Sequence, residues 1–540
     1  MVEQSTDHYH ALARARALIP TALSCAHSQP TLTTRWSTII STLQALPPSL
    51  SNLSTHPSFS KSPLCLTLLH SISTTLSHLI HLSSSSSSSS LGKLHLQSQL
   101  HSLNSNLELH LHDCKLLLKT TSISDDEPLT RLQLGDSDSK HRALDELLTS
   151  MKANVNSVHA AELSAASVAA LASLLTHTSM PKIKEKAVSL VCLLAEFESY
   201  ESSLSSDHLL KTLIKLAESG SHYCRVKSLM SLQRLSIKPD AAHIVVAHDG
   251  VRVLIEMIYE HGDDSITLSA ATATLKNLSV LPELMNYDIM VITRVMVTIL
   301  DSPNAEASKQ HAAEFLANVT FIHESLKSLV ISEGAVRSLL SYLDEPLPQE
   351  PAISAIRNLV DLVSIESLVS LGLFPRLVRI LKDGTQGSKQ AAAFTVAKVS
   401  SYREVQELVG EFGIMDLLVE MINGKTKGSR EAAAQAMAGL MSGCHKNCRK
   451  IVVKKRNCQS ALPGLVQLLD WNTNNRANKY AVACLLCLSK SSKSRRLMIA
   501  HGAIGYLKKL TEMGVPGSTE LMERLEKGKL INLFTRSVSF

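Results

Sequence analysis

From Leu129 onward the apolar positions follow helical rather than strand spacing, and the helices themselves recur. Residues 308–359 show the unit most plainly. A long helix with apolar residues spaced three and four apart closes on Ala317-Asn318-Val319. A shorter pattern follows, and Gly334 then opens a helix carrying Val336, Leu339 and Leu340. A second long helix closes on Arg357-Asn358-Leu359, which sets Asn318 and Asn358 40 positions apart. The last turn of the long helix can be followed through Arg234, Asn277, Asn318, Asn358, Lys398, Gly439 and Cys487. The spacings are 43, 41, 40, 40, 41 and 48. Weaker copies precede them at Lys184–Leu190 and His141–Leu144. A second marker recurs in step, at Gly250, Gly334, Pro375, Gly413, Pro463 and Gly502. Glycine there permits a tight joint between helices, and proline fits a first helical turn.

Residues 1–125 carry a different pattern. Helices are expected over Tyr9–Cys25, Leu32–Leu46, Ser62–His81 and Leu91–Leu118. Leucines recur along 64–69 and 107–111. Pro47-Pro48 and Pro57 are expected to end the second helix. The unbroken serine run 83–90 cannot bury apolar area and reads as a flexible loop inside a small helical domain. Asp125-Asp126-Glu127-Pro128 is the best domain boundary. The expected organisation is an N-terminal helical domain over 1–125, about nine repeats over 129–514, and a capping helix and tail over 515–540.

A chain of 540 residues exceeds what one compact core supports, about 250–300 residues, which again favours an array. Only 4% of residues are aromatic, as suits long helices packed through small side chains. The net charge of +6 is too diffuse for a nucleic-acid footprint. Ten cysteines in no disulfide-like framework point to a reducing compartment. No run of about 18 apolar residues suggests a membrane span, and the first twenty residues lack the apolar core of a secretory signal. The expected location is cytoplasm or nucleus. The acid-poor, Ser-rich stretch between Asp7 and Glu108 leaves an organelle transit peptide as the alternative.

A period of about 40–47 residues with three helices per unit marks an armadillo array. Repeats of about 33–34 residues fail on spacing, and HEAT repeats are the near rival. The alanine pairs at 270–271, 312–313, 391–393 and 432–434, with the Gly-opened helix, favour armadillo. Over 129–514 the chain resembles the armadillo family, and within it plant armadillo proteins with a helical N-terminal region. The resemblance implies an all-α, right-handed α-solenoid preceded by a small helical bundle. It implies no enzymatic activity, but a scaffold that holds an extended or helical segment of another protein in a concave groove. Many such relatives place a U-box before the repeats. None is legible here, since 113–136 is too short for one, so the alternative role is substrate recognition within a ubiquitin ligase whose box a partner supplies.

In armadillo relatives the asparagine near the end of the third helix bonds a partner's backbone across the groove. The resemblance carries that role to Asn277, Asn318 and Asn358. Arg234 and Lys398 hold the same slot at either side, suggesting a preference for acidic groups at the groove ends. One turn earlier lie Ala273, Glu314 and Ser354, where nuclear-import adaptors carry tryptophan, so a basic nuclear signal is not the expected ligand. The competing reading of the asparagines is that they cap their helices or bridge neighbouring repeats. Cys444, His445, Cys448 and Cys458 are too irregularly spaced, and too close to lysines and arginines, for a structural zinc site. Cys484 and Cys487 read as core thiols. Residues 446–456 read as a basic loop. The N-terminal histidines His78, His81, His110 and His112 lack metal-ligand spacing, and neither metal nor cofactor is expected.

Overall fold

The computed structural model describes residues 2–29, 33–56, 59, 63–85, 93–119, 132, 137–153, 165–178, 180–453, 455–471 and 476–537. The described residues form helices and turns, with no strand among them. They group into two compact units, Met1–Leu281 and Pro282–Phe540.

The first unit opens with a four-helix bundle. It comprises α1 (Val2–His27), α2 (Thr33–Ser54), α3 (Pro63–Ser85) and α4 (Lys93–Lys119). Helix α1 lies against α2 and α3, and α4 closes the other side. Ile19, Trp36, Leu43, Leu69, Ile72 and Leu107 fill its core. The second helix does not end at the paired prolines: it runs through Pro47 and Pro48 to Ser54. Burial of Leu50 and Leu53 explains this. Together they contribute about 3–6 kcal/mol, comparable with the cost of proline in a helix interior, about 3 kcal/mol each. The serine run also starts inside a helix. Ser83 is buried at the end of α3 and its hydroxyl donates to the Ile80 carbonyl at 2.6 Å. The expected loop beyond Ser85 falls outside the described residues.

Next in the first unit come α5 (Ser137–Ala153), α6 (Ala165–His177), α7 (Pro181–Leu194), α8 (Glu198–Leu204), α9 (Asp207–Ser219), α10 (His222–Leu235), α11 (Pro239–Ala247), α12 (Gly250–His261) and α13 (Ser265–Leu278). Helices α5, α7, α10 and α13 stack one on the next, and α6, α9 and α12 form a second row. Side-chain oxygens fix the starts: Ser221 accepts from the Cys224 amide, and Asp264 from the amides of Ile266 and Thr267. The bundle joins this stack through α4 and α6. It also joins through an ion pair between Lys140 and Asp113, both buried, at 3.1 Å.

The second unit repeats the scheme. Its helices are α14 (Ile289–Asp301), α15 (Glu306–Ile322), α16 (Lys327–Ser332), α17 (Ala335–Tyr342), α18 (Glu350–Leu359), α19 (Ile365–Ser370), α20 (Leu373–Asp383), α21 (Gln386–Val399), α22 (Arg403–Glu411), α23 (Ile414–Ile422), α24 (Lys427–Ser442), α25 (His445–Val453), α26 (Lys455–Gln467), α27 (Asn478–Leu488), α28 (Ser492–Ala500), α29 (Ala503–Glu512) and α30 (Ser518–Ser537). Helices α15, α18, α21, α24, α27 and α30 stack in order. The joints expected at Gly334, Gly413 and Gly502 are left-handed, with φ of 85°, 80° and 80°. At the Pro375 marker the left-handed residue is Gly372, and at the Gly250 marker it is Asp249. The expected basic loop at 446–456 is largely helical, in α25 and α26, because Ile451 and Asn447 are drawn into the core.

Candidate functional site

At Arg234, Asn277 and Asn358 the marker side chain binds the preceding long helix. The Asn277 amide donates to the Gln233 carbonyl at 2.8 Å and to the Ser236 hydroxyl at 2.9 Å. The Asn358 amide donates to the Ala317 carbonyl at 3.1 Å and the Thr320 hydroxyl at 3.2 Å. Asn358 is only 7% exposed. In both, the acceptors stand one residue before and two residues after the previous marker. Arg234 uses the same carbonyl position, donating to Cys192 O at 2.7 Å, which makes Leu193 the marker of α7. Its guanidinium also pairs with Glu196 at 2.8 Å, and Lys398 pairs with Asp361 at 2.6 Å. Of the two alternatives for the asparagines, the geometry gives Asn277 and Asn358 the bridging one. Their N–H donors are spent within the chain, and the cations at Arg234 and Lys398 are already matched by carboxylates. Asn318 is half-buried in the same register. Glu314 accepts from the Gln310 amide at 2.8 Å, one turn along its own helix.

The same bridge appears where the sequence had suggested only a cap. Arg524 of α30 donates to Leu486 O at 3.4 Å and to the Ser489 hydroxyl at 3.3 Å, flanking the Cys487 marker as the other bridges flank theirs. Helix α30 therefore acts as the long helix of one more unit. Gly439 shows why a marker can lack a side chain. A Cβ there would stand 2.0 Å from the Ser400 hydroxyl, which donates to Ala397 O at 2.7 Å.

Surface open to a ligand lies earlier on the long helices. In the first unit a cavity of about 580 Å³ is lined by α5, α7 and α10. Lys186 bridges Asp145 at 2.5 Å and His141 at 3.0 Å. The hydroxyls of Ser189 and Tyr223 hydrogen-bond at 2.9 Å, and the Ser221 hydroxyl donates to Glu185 at 3.3 Å. Lys227 stands over the Tyr223 ring at 6.0 Å. Lys182 and Lys227 have no carboxylate partner among the described residues. The site thus offers two free ammonium groups beside an aromatic face and paired hydroxyls, with no nucleophile–base arrangement among them. Sequence reasoning missed these residues, although the register contained them. Lys182 and Tyr223 stand eleven residues before their markers, Lys186 and Lys227 seven.

Buried titratable groups serve packing instead. His110 meets the Thr75 hydroxyl at 3.0 Å, and burial lowers its pKa to about 3. Burial, against the pull of Lys140, raises the Asp113 carboxyl to about 6. No group of three or more potential metal ligands occurs among the described residues, and the Cys458 side chain lies outside them. No described helix is long and apolar enough to cross a membrane.

A domain family of unknown function, DUF7032, matches residues 13–122, the stretch that holds most of α1–α4. No curated protein matches the chain. An engineered protein of known crystal structure is similar in fold. Its TM-score is 0.60 at 21% identity, over 74% of this chain and 97% of that one.

Proposed function

We propose that this chain is a non-enzymatic interaction scaffold. The stacked helices are armadillo-type repeats of a right-handed α-solenoid, and they hold an acidic, extended segment of another protein. The observation that carries this reading is the cavity on α5, α7 and α10. Lys182 and Lys227 are unneutralised there, beside the Tyr223 face. The bridge from Arg234, Asn277 and Asn358 to the preceding helix's carbonyl supports the repeat assignment, since it is the contact one unit needs from its neighbour. It also moves partner recognition off the markers and onto the turns before them.

Peptide-display selection on the full chain tests the proposal. Selected peptides should be rich in Asp and Glu, weaken as salt rises, and lose binding to the Lys182→Glu/Lys227→Glu double variant with its melting temperature unchanged. Peptides that bind that folded variant as tightly as the parent would overturn it.

A further inference from the structure

In the second unit, α25 packs against α27 and brings Cys448 beside Cys487. The two thiols share one acceptor, the Met441 carbonyl, 3.5 Å from Cys448 Sγ and 3.8 Å from Cys487 Sγ. Cys487 is half-buried and Cys448 is 9% exposed. We propose that Cys487 and Cys448 form a hydroperoxide-sensitive dithiol, with Cys487 the attacking sulfur and Cys448 the resolving one.

The surroundings divide the roles. The neighbouring Cys448 thiol, then the charges of Lys490 and Arg524, lower the Cys487 pKa below the ordinary thiol value despite partial burial. The neighbouring Cys487 sulfur and burial push Cys448 up, so it remains a thiol. Cys484, on the same helix, is fully buried, bonded to the Ala434 carbonyl at 3.5 Å and pushed up by burial. A thiolate that is partly accessible and flanked by cations is the form that reacts with peroxide. The Cys487 thiolate attacks the near peroxide oxygen, the O–O bond breaks, and the departing oxygen takes a proton as water or alcohol. Cys487 is then a sulfenic acid. The Cys448 sulfur displaces its hydroxyl, which leaves as water with the Cys448 proton. Two thiols lose two electrons and two protons, and the peroxide accepts them. The product staples α25 to α27, one residue from the carbonyl that Arg524 holds.

The test treats the full chain with hydrogen peroxide and maps peptides without reduction. The expected product is a Cys448–Cys487 linked peptide that dithiothreitol reverses, together with a dimedone adduct on Cys487 in the Cys448→Ser variant. A Cys448–Cys458 linkage in its place, or untouched Cys448 and Cys487 while Cys25 reacts, would overturn the assignment. Alkylation of the unmutated chain needs no variant to fold. Iodoacetamide should modify Cys487 faster than the half-buried Cys25, and an equal or slower rate would equally refute it.

Discussion

Replacing Asn358 by alanine separates a residue that holds the stack together from one that holds a partner. Two hydrogen bonds are lost, at 3.1 and 3.2 Å, from a side chain 7% exposed. Each contributes about 0.5–1.5 kcal/mol net. The Thr320 hydroxyl, which donates to Leu316 O at 2.6 Å, also reaches the Ala317 carbonyl at 3.2 Å and offsets part of the loss. Alanine also returns about 0.5 kcal/mol of helix propensity. The expected loss is therefore about 1–2 kcal/mol, with a melting shift of roughly 2–4 °C for each kcal/mol. Asn358→Asp should cost more. It has no donor and sets a desolvated carboxylate against the Ala317 carbonyl, a mismatch of several kcal/mol. Repeat arrays open locally, so hydrogen exchange in α15 and α18 is the sharper assay alongside thermal melting. Faster exchange there, with peptide affinity unchanged in the folded variant, is the expected result. Unchanged exchange and melting with lost peptide binding would refute the bridging role.

Asp113→Leu should destabilise the first unit by about 3–5 kcal/mol, because it strands the Lys140 ammonium in the core. Asp113→Leu/Lys140→Met should recover that loss, and both are read by denaturant unfolding. Acid titration of the double variant then isolates His110. Burial alone then holds its folded pKa below the unfolded value of 6.5, so its contribution is present above pH 6.5. That contribution fades by about 1.4 kcal/mol per pH unit as the pH falls from 6.5 toward the folded value. In the parent chain Asp113 acts with the opposite sign. Its pKa is raised from 3.8 to about 6, so its contribution is greatest below 3.8 and lost as pH rises through 6, leaving the parent flatter between pH 6 and 4. Gly439→Ala should destabilise the second unit by about 1–3 kcal/mol in spite of the helix propensity gained, since the new methyl meets the Ser400 hydroxyl at 2.0 Å. Ser400→Ala should relieve most of that in calorimetry.

The periodicity of the array was legible because stacked helices must bury the same positions in every unit. That is why Arg234, Asn277, Asn358 and Lys398 occupy one structural slot. The chemistry of the slot was not legible. An amide that bonds a partner's backbone and one that bonds the neighbouring helix's last carbonyl have the same sequence signature, and only the acceptor distinguishes them. The continuation past Pro47-Pro48 escaped for a related reason, since a local rule about proline carries no knowledge of the buried space awaiting Leu50 and Leu53. The 48-residue spacing before Cys487 invited an insertion loop. The basic stretch in fact lies largely in α25 and the start of α26, where neighbouring lysines and arginines masked Ile451 inside.

A bridge that recurs at Arg234, Asn277, Asn358 and Arg524 constrains where specificity can evolve. Asn277 and Asn358 satisfy a carbonyl and a hydroxyl of the previous helix, Arg234 a carbonyl, Lys398 a carboxylate, and at Gly439 a hydroxyl already fills the space. Those are requirements of the stack, and a partner can read little from them. The positions four, seven, eight and eleven residues earlier meet their neighbours side chain to side chain, without a backbone carbonyl to satisfy. In the first unit they hold Ser189, Lys186, Glu185 and Lys182 on α7, and Tyr223 and Lys227 on α10. In the second they hold Glu314, Gln310 and His311 on α15. Exchanging charge at Lys182 and Lys227 should therefore alter which peptides are selected without altering the melting temperature, whereas exchanging Asn277 or Asn358 should do the reverse. Selected peptides whose composition tracked the marker residues, and ignored Lys182 and Lys227, would return recognition to the asparagines.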